Sequence, residues 1–274
     1  SLEELARLYA EPLADVFSDI ELVSNSEDVK PALETPEISS NAKVLIPVIT
    51  GVHGEYDLYE SFKRYTEHVD FFIIKEELGY KESVKEFASK LSDYDVLAFP
   101  DGSILSNRLQ YGQAIEMLIK DIKDELEAFA KDKYILAIGA SFAGFVRSGL
   151  IEFGYVQTGT SIKFKENPME KFVSSVVTAN VVNESIFAAD GSYSTAIAGD
   201  HLIVELDEAA LEKQILSKYN TFFEGEAGID AMIDPSGHIL GMNGNFERFN
   251  LDSFNNLEVN EAPFIANLLK VVGK

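Results

Sequence analysis

Four short apolar runs, each closed by a turn and separated from the next by a helix-period stretch, constrain this chain more than any other feature. They are Val44-Leu45-Ile46-Pro47-Val48-Ile49, Val69-Asp70-Phe71-Phe72-Ile73-Ile74, Asp95-Val96-Leu97-Ala98-Phe99-Pro100 and Tyr134-Ile135-Leu136-Ala137-Ile138. A strand that is apolar on both pleat faces must be covered on both sides. The intervening stretches supply the covers: helices are predicted over residues 55–66, 82–91, 111–130 and 142–150, the first turning Leu58, Phe62 and Tyr65 inward. Alternation of this kind predicts an α/β fold with a doubly wound, mostly parallel sheet.

The flanks read differently. Leu2, Leu5, Leu8 and Tyr9 share one helical face before Pro12, and residues 24–42 are rich in Ser, Asn, Glu and Pro. Residues 1–42 are therefore expected to be a helical leader and linker, and residues 43–274 the main domain. Beyond residue 170, strands are expected over 171–179 and 195–206, and a helix near 208–218. Ala231-Met232-Ile233 and Ile239-Leu240-Gly241-Met242 are expected to form a hairpin about Asp234-Pro235-Ser236-Gly237, where Pro fixes φ and Gly tolerates a positive one.

Composition narrows the function classes. The 274 residues carry a net charge of −23, which argues against nucleic acid and anionic membrane as partners. No apolar run approaches the roughly 18 residues of a membrane span, and the first residues show neither a basic start nor an apolar stretch, so a cytoplasmic protein is expected. There is no cysteine. Disulfides, zinc–thiolate sites and a thiol nucleophile are thereby excluded, and no His/Asp/Glu cluster has metal-ligand spacing.

Ligands of an open parallel sheet bind beyond the carboxyl ends of its strands. Three such ends stand out: Gly51-Val52-His53-Gly54-Glu55, Pro100-Asp101-Gly102-Ser103 and Gly139-Ala140-Ser141-Phe142-Ala143-Gly144. In the third, a strand enters a small-residue turn and then a helix. That is the pattern of a nucleophile elbow, with backbone N–H groups able to hold an anion.

The stretch Ile135-Leu136-Ala137-Ile138-Gly139-Ala140-Ser141-Phe142-Ala143, continuing to Ser148-Gly149-Leu150, resembles the elbow of class I glutamine amidotransferases without a gap. Gly139 stands where that family has its nucleophilic cysteine; Ala140, Ser141 and Ala143 replace the usual Asn, Gly and Gln. Lys43-Val44-Leu45-Ile46-Pro47-Val48 with Glu55-Tyr56-Asp57 resembles the start of the glutaminase domain in long-chain formylglycinamidine ribonucleotide synthases. Leu97 to Gly102 resembles their L-P-G-G turn, with Asp101 for the first Gly. Ile239-Leu240-Gly241-Met242-Asn243-Gly244-Asn245-Phe246-Glu247-Arg248 resembles their G-x-M-G-H-x-E-R, and Leu2 to Phe17 resembles the segment joining synthetase to glutaminase. The implied fold is the class I amidotransferase, flavodoxin-like sheet, and the implied setting is purine biosynthesis.

The same alignment implies a damaged site. Glutamine hydrolysis requires a thiolate, a His that shuttles the proton and a Glu that orients the His. Gly139 has no side chain, Asn245 replaces the His, and only Glu247 is retained. The family's H-G-E-G-R motif is missing near Ala198-Gly199-Asp200-His201. The expectation is a glutaminase domain without hydrolysis, structural or regulatory on a synthetase partner, with no cofactor in this chain. Such a chain is expected to be the C-terminal portion of a longer enzyme or a stand-alone relative.

Two other readings stay open on sequence. Ser141 fits a relaxed G-x-S-x-G/A elbow and could act as a hydrolase nucleophile, with its base among His53, His68, His201 and His238 and His201 best placed along the chain. Alternatively Gly102, Ser103, Gly139, Ala140 and Ser141 retain a pocket that senses a glutamine-like small molecule. His53 and Glu55 are candidate ligand contacts, or solvated loop groups; His201 and His238 are expected at the surface.

Overall fold

The computed structural model describes residues 29–102, 111–151, 155–159, 174–198, 201–205, 212–223, 226–249 and 262–273. The expected leader helix, Ser103, Gly199 and Asp200 lie outside them. In chain order the elements are β1 (Val44–Val48), β2 (Val52–His53), α1 (Glu55–Lys63), β3 (Val69–Ile73), α2 (Tyr80–Lys90), β4 (Val96–Phe99), β5 (Asp101–Gly102), α3 (Tyr111–Asp121), α4 (Lys123–Phe129), β6 (Tyr134–Ile138), α5 (Ala140–Arg147) and β7 (Tyr155–Gly159). There follow β8 (Ser174–Val181), β9 (Ser192–Ala198), β10 (His201–Glu205), β11 (Ser217–Phe223), β12 (Glu226–Ile229), β13 (Ala231–Ile233), β14 (Ile239–Met242), a 3-10 turn over Phe246–Phe249 and α6 (Phe264–Val272).

The four apolar runs become β1, β3, β4 and β6 of a six-stranded sheet ordered β13-β14-β6-β4-β1-β3. All neighbours are parallel except the β13–β14 hairpin. Both pleat faces are filled along β1, β4 and β6, whereas β3, at the edge of the sheet, departs from the expectation and leaves Asp70, Phe71 and Ile73 exposed. Val44, Ile46, Val96, Ala98, Leu136 and Ile138 enter one core, with Leu58 and Phe62 of α1 and Phe264, Leu268 and Leu269 of α6. Leu45, Leu97, Phe99, Ile135 and Ala137 enter the other, with Phe87 of α2, Ile115 and Ile119 of α3, Leu126 of α4 and Phe142 and Phe145 of α5. Each such large side chain, taken fully out of water, contributes about 1.5–3 kcal/mol.

A second sheet, β12-β11-β8-β9, is antiparallel throughout, and β7 pairs with β10 separately. Ala179, Val181, Tyr193 and Tyr219 of the second sheet join the first core, so the two sheets share apolar contacts. The hairpin turn forms as its residues require: Gly237 has φ +78°, and the Asp234 carboxylate accepts from the backbone N–H groups of Ser236, His238 and Ile239 at 3.1, 2.9 and 2.7 Å.

Several expectations are corrected. The predicted helix over 111–130 divides at Ile122 into α3 and α4. The strand expected over 195–206 is two strands in different sheets, β9 pairing with β8 and β10 with β7. The helix expected near 208–218 is not formed over its described part, since Ser217 begins β11 and Ile215 bridges Met232. Residues 29–42, the described part of the expected linker, are hydrogen-bonded to the main body. Leu33 N–H donates to the Ser192 carbonyl at 2.9 Å, Ser192 N–H to the Pro31 carbonyl at 2.7 Å, and Ser40 N–H to the Tyr65 carbonyl at 2.8 Å.

Candidate functional site

The carboxyl ends of the central strands draw four segments together. Residues 51–55 follow β1, 100–102 follow β4, 139–141 follow β6, and 243–247 follow β14. The first two pair directly as β2 and β5, Val52 opposite Gly102 and His53 opposite Asp101. The third joins through Ala140, whose N–H donates to Asp101 Oδ1 at 2.7 Å. The fourth lies beside the first: a Cβ built on Gly54 would sit 3.3 Å from Glu247 Oε1.

Gly139 occupies the turn between β6 and α5 with φ +55° and ψ −114°, a conformation in which an L side chain is strained. Its own N–H is anchored to the Met242 carbonyl at 2.7 Å. This is the strand–turn–helix geometry of a nucleophile elbow, and the residue at its head offers no side chain to react.

The volume that such a side chain would need is filled. A Cβ on Gly139 would overlap Oδ1 and Cγ of Asp101 and approach Oδ2 to 2.7 Å. Asp101 is only 4% exposed. Its Oδ1 accepts two backbone N–H groups, from Gly102 at 2.7 Å and from Ala140 at 2.7 Å. Two N–H donors from two different strand ends, converging on one oxygen, have the arrangement by which acyl-transfer sites hold a developing oxyanion. Here a carboxylate of the chain itself holds that place. Hydrogen bonds to a charged acceptor contribute about 1.5–3 kcal/mol each, and the α5 N-terminus favours the negative charge further. The close approach explains Gly102 as well, since a Cβ there would lie 2.9 Å from the Ala140 Cβ. On the other side, Asp101 Oδ2 lies 3.7 Å from His53 Nε2, an ion pair when the imidazole is protonated.

Asn245 and Glu247 are both buried, at 2% and 1% exposure. The Asn245 amide Nδ2 donates to Glu247 Oε1 at 2.9 Å. Glu247 therefore does orient a side chain, but an amide that neither accepts nor releases a proton near neutral pH. Asn245 is pinned by its backbone to β9, its N–H donating to the Ala196 carbonyl at 2.8 Å. Behind this loop lies Asp230, which accepts from the hydroxyls of Tyr193 and Tyr219, the latter at 2.7 Å, and from Gly244 N–H at 2.8 Å. Burial pushes the Asp230 carboxyl up against the opposing pull of those three hydrogen bonds. Burial, then the Asp230 charge, holds both phenols well above their ordinary value.

Ser141 sits inside α5, is fully buried, and its hydroxyl donates to the Pro100 carbonyl at 2.5 Å. A hydroxyl closed from solvent and committed to a strand carbonyl is placed to bind β4 to α5 and not to meet a substrate. Two of the candidate bases are remote. His68 precedes β3, where its carbonyl accepts from Val44 N–H at the amino end of the sheet. His238 precedes β14 at the same end and is half-buried instead of at the surface, stacked on Tyr134 at 4.6 Å with Nδ1 2.9 Å from the Lys133 carbonyl. His201 begins β10, and only its backbone is described. Of the four, His53 reaches the gathered strand ends. Among the described residues no group of three His, Cys, Asp or Glu could hold a metal ion, and no helix is long and apolar enough to cross a membrane.

Similarity to known proteins agrees with this fold. Residues 41–223 match the model of the CobB/CobQ-like glutamine amidotransferase domain. The chain belongs to that family. Among solved structures, the chain is similar to PurLQS from Thermotoga maritima, at 16% identity and a TM-score of 0.59, over 85% of this chain and 100% of that one. It is also similar to a putative GMP synthase subunit from Thermoplasma acidophilum, at 12% identity and a TM-score of 0.51, over 85% of this chain and 94% of that one. The glutaminase domain of CTPS from Trypanosoma brucei, solved with bound acivicin, matches at 12% identity and a TM-score of 0.52, over 84% and 94% of the two chains. These similarities bear on the fold, and they agree with the class I amidotransferase sheet. No curated protein sequence matches.

Within this amidotransferase fold, the strand ends bring together Gly102, Gly139, Ala140 and Asp101, and separately Asn245 with Glu247. Asp101 was missed as an occupant of the site; the sequence marks it only as a departure from a Gly-Gly turn. The signal was present as a pair of opposite changes: a side chain absent at 139 and one present at 101, in two strand ends that the fold places side by side.

Proposed function

We propose that this chain is a degenerate glutaminase domain of the formylglycinamidine ribonucleotide synthase type, without glutamine hydrolysis of its own, that serves as a structural or regulatory domain on a synthetase partner in purine biosynthesis. One observation carries the reading: the elbow is intact as backbone, yet Gly139 at its head has no nucleophile and the adjoining space is filled by a carboxylate. The amide of Asn245 in the proton-shuttling position supports it, as does the similarity in fold to PurLQS over 85% of the chain. A synthetase served by such a domain takes free ammonia directly. No cofactor is required of this chain, and the cytoplasm is the compartment that fits.

The test is synthesis by the synthetase assembled with this chain, supplied with ATP and substrate and with either glutamine or ammonium chloride. Ammonium is expected to support product formation and glutamine to give none above the background without a nitrogen donor. Glutamine-dependent synthesis that needs this chain would overturn the proposal. The burial of Ser141 gives the serine-hydrolase reading no support.

A further inference from the structure

The Asp101 carboxylate is the feature that a merely decayed site does not explain. A glutaminase that had only lost its cysteine would leave two unpartnered N–H donors facing a vacant hollow. In this chain the donors of Gly102 and Ala140 meet on a single oxygen at 2.7 Å each, and the residue supplying it is almost wholly buried. The same carboxylate takes the volume that a side chain at 139 would claim. His53 stands over its second oxygen.

Building on the pseudo-glutaminase reading, we infer that Asp101 is a tethered occupant of the old oxyanion cradle, an autoinhibitory contact that shuts out carboxylates and amide carbonyls and leaves the domain insensitive to glutamine. A ligand from solution must pay the entropy of association each time it binds, whereas Asp101 is fixed one residue from one donor by the fold itself. A glutamine carbonyl offers a weaker, neutral acceptor for the same two N–H groups. The domain therefore stays in one elbow conformation at all glutamine concentrations, which favours a structural role over a sensing one.

Two measurements test this. The amide protons of Gly102 and Ala140 are followed by NMR in the native chain and in Asp101→Asn, whose side chain offers a neutral and weaker acceptor. Both amide protons are expected to move upfield together in the variant. In the native chain they are expected not to move on addition of about 20 mM glutamine, well above the usual micromolar-to-millimolar range for a small substrate. Amide shifts that Asp101→Asn leaves unchanged, or that respond to glutamine in the native chain, would overturn the inference. In Asp101→Gly the cradle is emptied, and sodium formate is added as a small carboxylate against sodium chloride at equal ionic strength. Formate is expected to raise the melting temperature of the variant by several degrees and leave the native chain unchanged. Equal responses of the two proteins would contradict it. If Asp101→Gly does not fold, the amide shifts of the native chain and of Asp101→Asn decide alone. Glutamine hydrolysis by the native chain would instead remove the underlying reading, so the two failures are told apart.

Discussion

At the scale of single residues, the account turns on a shared volume between positions 101 and 139. Restoring a thiol by Gly139→Cys introduces the chain's one cysteine and drives its Cβ into the Asp101 carboxylate. Gly139→Cys is expected to destabilise the native chain by about 2–4 kcal/mol, and Asp101→Gly to offset part of that loss. The coupling from a double-mutant cycle of denaturant midpoints is expected at about 1–3 kcal/mol; additive effects would mean that the two side chains do not compete. Asp230 offers a second check, on sign. Its folded-state pKa is raised, so its contribution to stability is complete below the ordinary carboxylate pKa and is lost as pH rises through the folded-state value. Asp230→Asn removes that dependence. Relative to the native chain, the variant is expected to gain stability as pH rises from about 3 to 7, measured by urea midpoints at each pH. Asp101 shows where single-residue reading falls short. An aspartate after a strand has no sequence mark that separates a solvated loop carboxylate from one folded back onto its neighbours' N–H groups; the pairing of β2 with β5 decides it.

At the scale of elements, legibility follows how many faces a strand buries. Strands β1, β4 and β6 are apolar on both faces and bounded by turns, and each forms within a residue or two of its predicted limits. Residues 195–206 carry apolar character on both sides of Gly199-Asp200, yet β9 ends at Ala198 and β10 begins at His201, a division that periodicity alone passes over. The helix-prone composition near 208–218 is overridden by pairing: Ser217 to Tyr219 take their place opposite β8. The elbow element is also constrained from below. A Cβ on Gly241 of β14 would overlap the Phe142 ring in the first turns of α5. Gly241→Ala is expected to cost about 1–3 kcal/mol, and Phe142→Leu in the same chain to recover part of it, read from thermal or denaturant unfolding. On the other face, Phe264 of α6 is fully buried against Tyr193 and Phe246, with ring centroids 4.9 and 5.6 Å apart. Phe264→Ala is expected to cost about 3–5 kcal/mol.

At the scale of the whole molecule, the chain keeps the amidotransferase architecture and displays Asp101, Gly139 and Asn245 at its strand ends. The sheet order, the elbow backbone and the loop carrying Asn245 and Glu247 are all present. This is the level at which the sequence was most informative, because order and spacing of strand-end motifs survive substitution of the residues they display. The central claim concerns that retained frame without its reaction, and ammonia release from glutamine by the native chain tests it most directly. The assay is run at saturating glutamine, with and without a synthetase of the proposed kind, beside a buffer blank. Release at the rate of the buffer blank in every case is the predicted result. Release above the blank would show that a working glutaminase survives here and would contradict the account.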